Sequence, residues 1–238
     1  MKTVPNKQST VKTLFARVAG IGFVLAVPLV LVITNVQIAF NSLWLYESGF
    51  ERYQVSIYTG ISKDDLIQAS EQLIGFFNSQ DEFPETRVLK GGQDATLFNS
   101  REIQHLIDVR DLLNRSMLIR TVASLYIIAY ILAIMFLFKR RGALLLSSQA
   151  MKSGIGSVAV LVIFAVASLA GFDQLFLQFH LISFSNDLWM LNPSTDYLLM
   201  MFPQGFWFDA TMLVGLATGI QALVLFLISK VCQTLMRT

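Results

Sequence analysis

The chain has two histidines, His105 and His180, and each lies in a stretch whose spacing could do chemistry. In FNSREIQHLIDVRDLLNRSMLIR, Arg101, His105, Asp108, Leu112 and Arg115 follow one another at steps of four, three, four and three. That rhythm puts them on one face of a helix. Asp108 stands one turn from His105, where a carboxylate holds one ring nitrogen and fixes the tautomer. In LQFHLISFSNDLWMLNP, His180 is followed by Asn186, Asp187 and Trp189 at the edge of an apolar run. Two imidazoles suffice for general acid–base catalysis. A neutral one takes a proton from an attacking group, and a protonated one gives a proton to a leaving oxygen or steadies an oxyanion, each worth about 10²–10⁴-fold. The plain alternative for the first stripe is a solvated polar face whose far side, Ile103, Leu106 and Ile107, packs inward.

No other chemistry is spelled out. The sequence holds no G-x-S-x-G elbow, Gly-rich phosphate loop, CxxC pair or HExxH. Ser183 and Ser185 lie near His180, but their spacing gives no positive support for an acyl-enzyme. His105, Asp108, His180 and Asp187 are ligand types that suit zinc, without the tight spacing a zinc site has. The single Cys232 can form no internal disulfide.

The elements that must carry these residues are membrane helices. Hydrophobic residues make up 54% of the 238 and charged residues 14%, with a mean hydropathy of +0.59. Soluble domains carry about 25% charged residues, so the composition excludes that class. Four apolar runs reach the length of about 20 residues that a bilayer requires: Phe15 to Ala39, Met117 to Phe138, Gly154 to Gly171 and Ala210 to Ser229. The first is longer than a signal-peptide core and is followed by no clear cleavage site, so it counts as a membrane helix. The N-terminal tail holds Lys2, Lys7, Lys12 and, at the start of the first run, Arg17; Lys139, Arg140, Arg141 and Lys152 follow the second run, and Lys230 and Arg237 follow the fourth. All sixteen Asp and Glu fall between Glu47 and Asp111 or between Asp173 and Asp209. The positive-inside rule then places both termini and the 139–153 loop in the cytoplasm and both acidic connections outside.

The fold expected is thus an all-α integral membrane protein of four transmembrane helices, N-in and C-in, with a small α+β extracellular cap between helices 1 and 2. In residues, the order is 1–40 tail and helix 1, 41–115 cap, 116–139 helix 2, 140–153 cytoplasmic loop, 154–172 helix 3, 173–209 aromatic outer loop, and 210–238 helix 4 and tail. Within the cap, YQVSIYTG reads as a strand from its β-branched and aromatic content. SKDDLIQASEQLIGFFN reads as a helix started by Ser62 and Asp65, with Leu66, Ala69, Leu73 and Phe76 or Phe77 on one face. TRVLKGGQDATLF reads as a hairpin turning at Gly91-Gly92. Asn99 with Glu102 three residues on is a capping box, so a helix starts there. In the outer loop, Pro193 and Pro203 bracket a segment whose Ser194 or Thr195 caps a helical turn or two. The aromatic density there describes a pocket for acyl chains or an ordinary interfacial belt.

FNSREIQHLIDVRDLL and FHLISFSNDLWMLNPSTDYLLMMFPQGFWFD, together with the four-helix layout and the large first outer segment, resemble the bacterial integral-membrane family of the lipoprotein intramolecular transacylase, Lit. The resemblance implies an enzyme that moves the sn-2 acyl chain of a diacylglyceryl lipoprotein to the α-amino group of its N-terminal cysteine, giving the lyso form. It implies that His105 and His180 are the catalytic pair, that the diacylated lipoprotein and membrane lipids are the partners, and that the site faces outward from the bacterial plasma membrane. Beside it, Asp108 is expected to orient His105, Asn186 to donate to the oxyanion, Asp187 to hold the substrate ammonium or orient His180, and Arg101 to meet the lipid head. Asn186 and Asp187 otherwise form a capped turn into LWML. Phe179, Trp189, Asp196 and Phe98 are assigned to substrate binding, Phe179 and Trp189 otherwise to the belt. No metal, cofactor or nucleic-acid partner is expected. The rival classes are a metal-dependent membrane lipid hydrolase and a non-catalytic membrane binding protein; a transporter is disfavoured because Arg120 is almost the only ionisable group within the helices.

Overall fold

The computed structural model describes residues 7–90 and 93–237. In chain order these form α1 (Lys7–Phe40), α2 (Leu43–Arg52), α3 (Val55–Thr59), α4 (Lys63–Phe77), β1 (Arg87–Lys90), β2 (Gln93–Thr96), α5 (Ser100–Phe138), α6 (Arg140–Ser183), α7 (Tyr197–Met201) and α8 (Gln204–Arg237). Four of them, α1, α5, α6 and α8, are long and apolar enough to cross a membrane. The residues divide into two compact units. One holds those up to Asn35, Met117–Phe164 and those from Gly215 onward; the other holds Val36–Ser116 and Ala165–Val214.

The first unit is a bundle of apolar helices fastened by polar pairs. The Asn35 amide donates to Thr218 Oγ1 at 2.9 Å and to Gln221 Oε1 at 2.8 Å, and Gln221 Nε2 donates back to Asn35 Oδ1 at 3.2 Å. The Tyr130 hydroxyl lies 3.1 Å from the Ala16 carbonyl and 3.0 Å from Gln149 Oε1. Ser153 Oγ donates to the Val24 carbonyl at 3.1 Å. Lipid offers such groups no partner, so satisfying one another is what makes them tolerable between membrane helices.

The second unit carries both histidines. Its core gathers Leu66, Ala69, Leu73, Phe76 and Phe77 from α4, as their spacing foretold, with Tyr46 and Phe50 of α2, Leu106 of α5, and Met201, Phe202 and Phe206. Ser62 caps α4 by accepting from Asp65 N at 3.1 Å. β1 and β2 pair antiparallel with Val88 opposite Ala95, and the Gly91-Gly92 turn lies outside the described residues.

Three expectations are corrected. YQVSIYTG forms no strand: Val55–Thr59 is the short helix α3. With β1 and β2 pairing only each other, a strand there would have no ladder, whereas a helix satisfies its own backbone and puts Val55 and Thr59 on one buried face. Residues 140–153 are not a loop but the first turns of α6, joined to α5 through Lys139 alone at φ +50°. Gly142 permits this tight turn, since a Cβ there would lie 2.7 Å from the Ile134 carbonyl oxygen. The 173–209 connection is likewise helical as far as Ser183, beyond a break at Gly171 (φ −176°, ψ 70°). At 39 and 44 residues, α5 and α6 are about 58 and 66 Å long against a hydrocarbon core of about 30 Å. Their apolar parts, 117–138 and 154–171, are each long enough to cross it, and each helix extends past that part to carry a histidine.

Candidate functional site

α5 starts on the box that its sequence encodes. Asn99 Oδ1 accepts from Arg101 N at 2.9 Å and Glu102 N at 3.1 Å, while Glu102 Oε2 accepts from Asn99 N at 2.7 Å. One turn later the helix presents His105, and α6 presents His180 in its last turn. The ring centroids are 6.0 Å apart, and the two residues are only 7% and 8% exposed. The chain's two imidazoles therefore meet in a dry place.

The surroundings of His180 are aromatic. Phe176, Trp189, Phe179 and Phe184 place their rings 4.5, 5.0, 5.3 and 5.7 Å from it, and Phe184 also lies edge-on to His105 at 5.2 Å. His180 Nδ1 is 2.7 Å from the Phe176 carbonyl oxygen. A carbonyl only accepts, so Nδ1 bears the hydrogen and Nε2 keeps the lone pair. His105 Nδ1 is buried without a partner. Burial pushes the His105 imidazole well below its ordinary pKa, the neighbouring His180 adds to this, and the Asp108 carboxylate opposes it. Burial lowers His180 as well, against the bond to Phe176. Both rings rest neutral.

The other expected site residues divide. Phe179 and Trp189 do touch His180. Asp108 does not hold His105: its Oδ2 accepts from Asn186 Nδ2 at 2.9 Å. Asn186 takes the capped-turn arrangement, its Oδ1 accepting from Leu188 N at 3.1 Å and its carbonyl from Trp189 Nε1 at 2.8 Å. It thereby fixes the ring that leans on His180. Arg101 Nη2 donates to the Asp187 carbonyl at 2.5 Å, and the Asp187 side chain, 76% exposed, lies 3.9 Å from the same nitrogen rather than at His180. Asp196 accepts from Asn192 N at 2.7 Å, Asn99 Nδ2 at 3.1 Å and Thr195 Oγ1 at 3.1 Å, which occupies it with the chain itself. Phe98 lies in the core against Phe83. Among the described residues no three His, Cys, Asp or Glu gather where they would hold a metal ion.

Sequence reading missed Phe176 and Phe184 as neighbours of the pair. Phe176 is four residues before His180 and Phe184 four after, so once 173–183 is helical that spacing alone puts all three on one face. Glu102 was read only as half of a cap, and its second oxygen, which accepts from Leu198 N at 2.7 Å, has no local signal.

The sequence matches the family model of the lipoprotein intramolecular transacylase Lit over residues 21–207. The fold is similar to that of the membrane-integral Lit from Bacillus cereus, solved in meso. One such structure is 15% identical, with a TM-score of 0.74 over 94% of this chain and 98% of that one. A variant with a histidine replaced by alanine is 14% identical, with a TM-score of 0.76 over 97% and 99%. Another, with a histidine replaced by arginine, is 14% identical, with a TM-score of 0.76 over 97% of each chain. No curated protein sequence matches.

Proposed function

The chain belongs to the lipoprotein intramolecular transacylase family, Lit, and is a membrane lipoprotein transacylase; from that premise we propose that it moves the sn-2 acyl chain of a diacylglyceryl lipoprotein to the N-terminal cysteine amine by His105–His180 acid–base catalysis. The observation that carries this reading is the 6.0 Å approach of two buried, neutral histidines inside an aromatic enclosure. The neutral amine nitrogen attacks the ester carbonyl, and His180 Nε2, the nitrogen left with a lone pair, takes its proton. The tetrahedral intermediate then expels the sn-2 glyceryl oxygen, which receives the proton held by the His180 imidazolium, directly or relayed through His105, so both rings end neutral. One C–N bond forms, one C–O bond breaks, and no water or acyl carrier is consumed. Amine and ester ride on the same molecule, so proximity supplies much of the rate. Phe179, Phe184 and Trp189 would flank the acyl chain. In this reading 41–115 is an extracellular cap and the site faces out of the bacterial plasma membrane, as the segregation of acidic from basic residues favours.

The test is a synthetic diacylglyceryl lipopeptide incubated with the purified protein in detergent and EDTA. Mass spectrometry with fragmentation then locates each acyl chain. The expected product is isobaric with the substrate and carries the chain on nitrogen. His105→Ala and His180→Ala should each lower its rate by about 10²–10⁴-fold. Release of free fatty acid would make the protein a lipase instead, and loss of activity to EDTA would favour a metal site.

A further inference from the structure

α7 borrows its cap from α5, which also keeps its own. α7 is preceded by Asp196, a residue type that normally caps its own helix, yet Asp196 makes no side-chain cap bond there. It reaches 97 residues back instead and accepts from Asn99 Nδ2, on the residue that caps α5. The duty at α7 falls to Glu102 of α5, whose Oε1 accepts from Leu198 N at 2.7 Å while its Oε2 serves Asn99 N. Glu102 is 1% exposed and Asp196 9%, so two carboxylates are buried side by side, an arrangement that burial disfavours and hydrogen bonding must offset. Local capping needs neither crossing, since Glu102 already serves α5 and Asp196 could serve α7.

What the crossing does is join the turn before His105 to the end of the segment that leaves His180. That segment, residues 184–196, meets α5 at Phe184 on His105 and at Asn186 on Asp108 before it reaches the clasp. We propose that Glu102 and Asp196, through Asn99, clasp the start of α5 to the start of α7 and so set His105 at its working distance from His180. Both are positioning residues for the transacylation, and the proposal rests on the reading of the histidine pair as catalytic. An alanine would leave backbone donors buried and endanger the fold. Glu102→Gln keeps the shape but turns one of the two acceptors into a donor facing an N–H. The side chain can then no longer hold Asn99 N and Leu198 N together, and this limb of the clasp between the two helix starts is broken at one end.

The experiment measures kcat, KM and thermal unfolding for the whole protein with the synthetic lipopeptide. For Glu102→Gln, kcat should fall by about 10- to 100-fold, the scale of a misplaced catalytic group. KM should stay within about 2-fold, because the aromatic walls that take the substrate are untouched. An unchanged kcat, whatever happens to stability, overturns the proposal. So does a raised KM at unchanged kcat, which would make the clasp a wall of the binding groove. Should Glu102→Gln fail to fold, Asp196→Asn opens the other limb and is judged by the same two numbers. An active His105→Ala would sink the catalytic pair itself; an inactive His105→Ala beside a fully active Glu102→Gln would sink only the clasp.

Discussion

At the scale of single residues, the mechanism proposed above makes the state of the two imidazoles decide when the site works. Burial holds both below the ordinary imidazole pKa, and each must be neutral to begin as base. The acid limb that the enzyme sets should therefore lie below the ordinary imidazole range; a kcat/KM profile checks this once the titration of the attacking amine, which must itself be neutral, has been divided out. An acid limb at or above the ordinary value of about 6.5 would contradict it. Asp108 opposes the shift of His105, so Asp108→Asn should lower the His105 imidazole further, read from its ring resonances against pH, and an upward move would mean that Asn186 is the partner that counts. The same sign governs stability. The unfolded chain binds protons first, so the contribution of neutral burial is whole above the ordinary imidazole value and drains away as pH falls toward the folded value. His105 and His180 were legible in the sequence because they are the only two. The hold of Asp108 on Asn186 rather than on His105 was not, because helical spacing brings two side chains near without saying which of several neighbours wins.

Elements show a different division. The caps of α4 and α5 were readable because Ser62, Asn99 and Glu102 act within three residues of themselves. α3 was not, because VSIYT has strand composition and what overrides it is the lack of any strand to pair with. The helicity of 173–183 was hidden by Gly171, which reads as a stop and acts as a bend. A Cβ at Gly171 would meet nothing within 4 Å, while alanine favours helical backbone over glycine by about 1 kcal/mol. Gly171→Ala should thus favour a straighter helix and lower kcat by redirecting the turns that bear His180; unaltered kcat would show that the bend does not aim it. Gly49 is the opposite case, since a Cβ there would sit 2.5 Å from the Phe206 ring. Gly49→Ala should cost about 1–3 kcal/mol of stability, the usual penalty of an overfilled core, read as a drop in melting temperature.

For the molecule as a whole, the segregation of charge gives a topology that can be checked without activity. Cys232 is the one cysteine and is exposed on α8. A membrane-impermeant maleimide should miss it in intact cells and label it in inverted vesicles; the reverse pattern would overturn the orientation. The four spans and their order were plain from hydropathy, whereas the pairing of Asn35 with Thr218 and Gln221 was invisible, because nothing local marks two polar residues 183 and 186 positions apart as partners. That pairing has a consequence for biogenesis. α1 enters the bilayer carrying an amide whose partners have not yet been synthesised, and an unmet amide in hydrocarbon costs several kcal/mol. Until α8 leaves the translocon, the nascent chain must shelter Asn35 against water, lipid headgroups or an insertase. A ribosome that has just passed residue 200 has already made both histidines, yet the chain it holds still lacks both partners of Asn35.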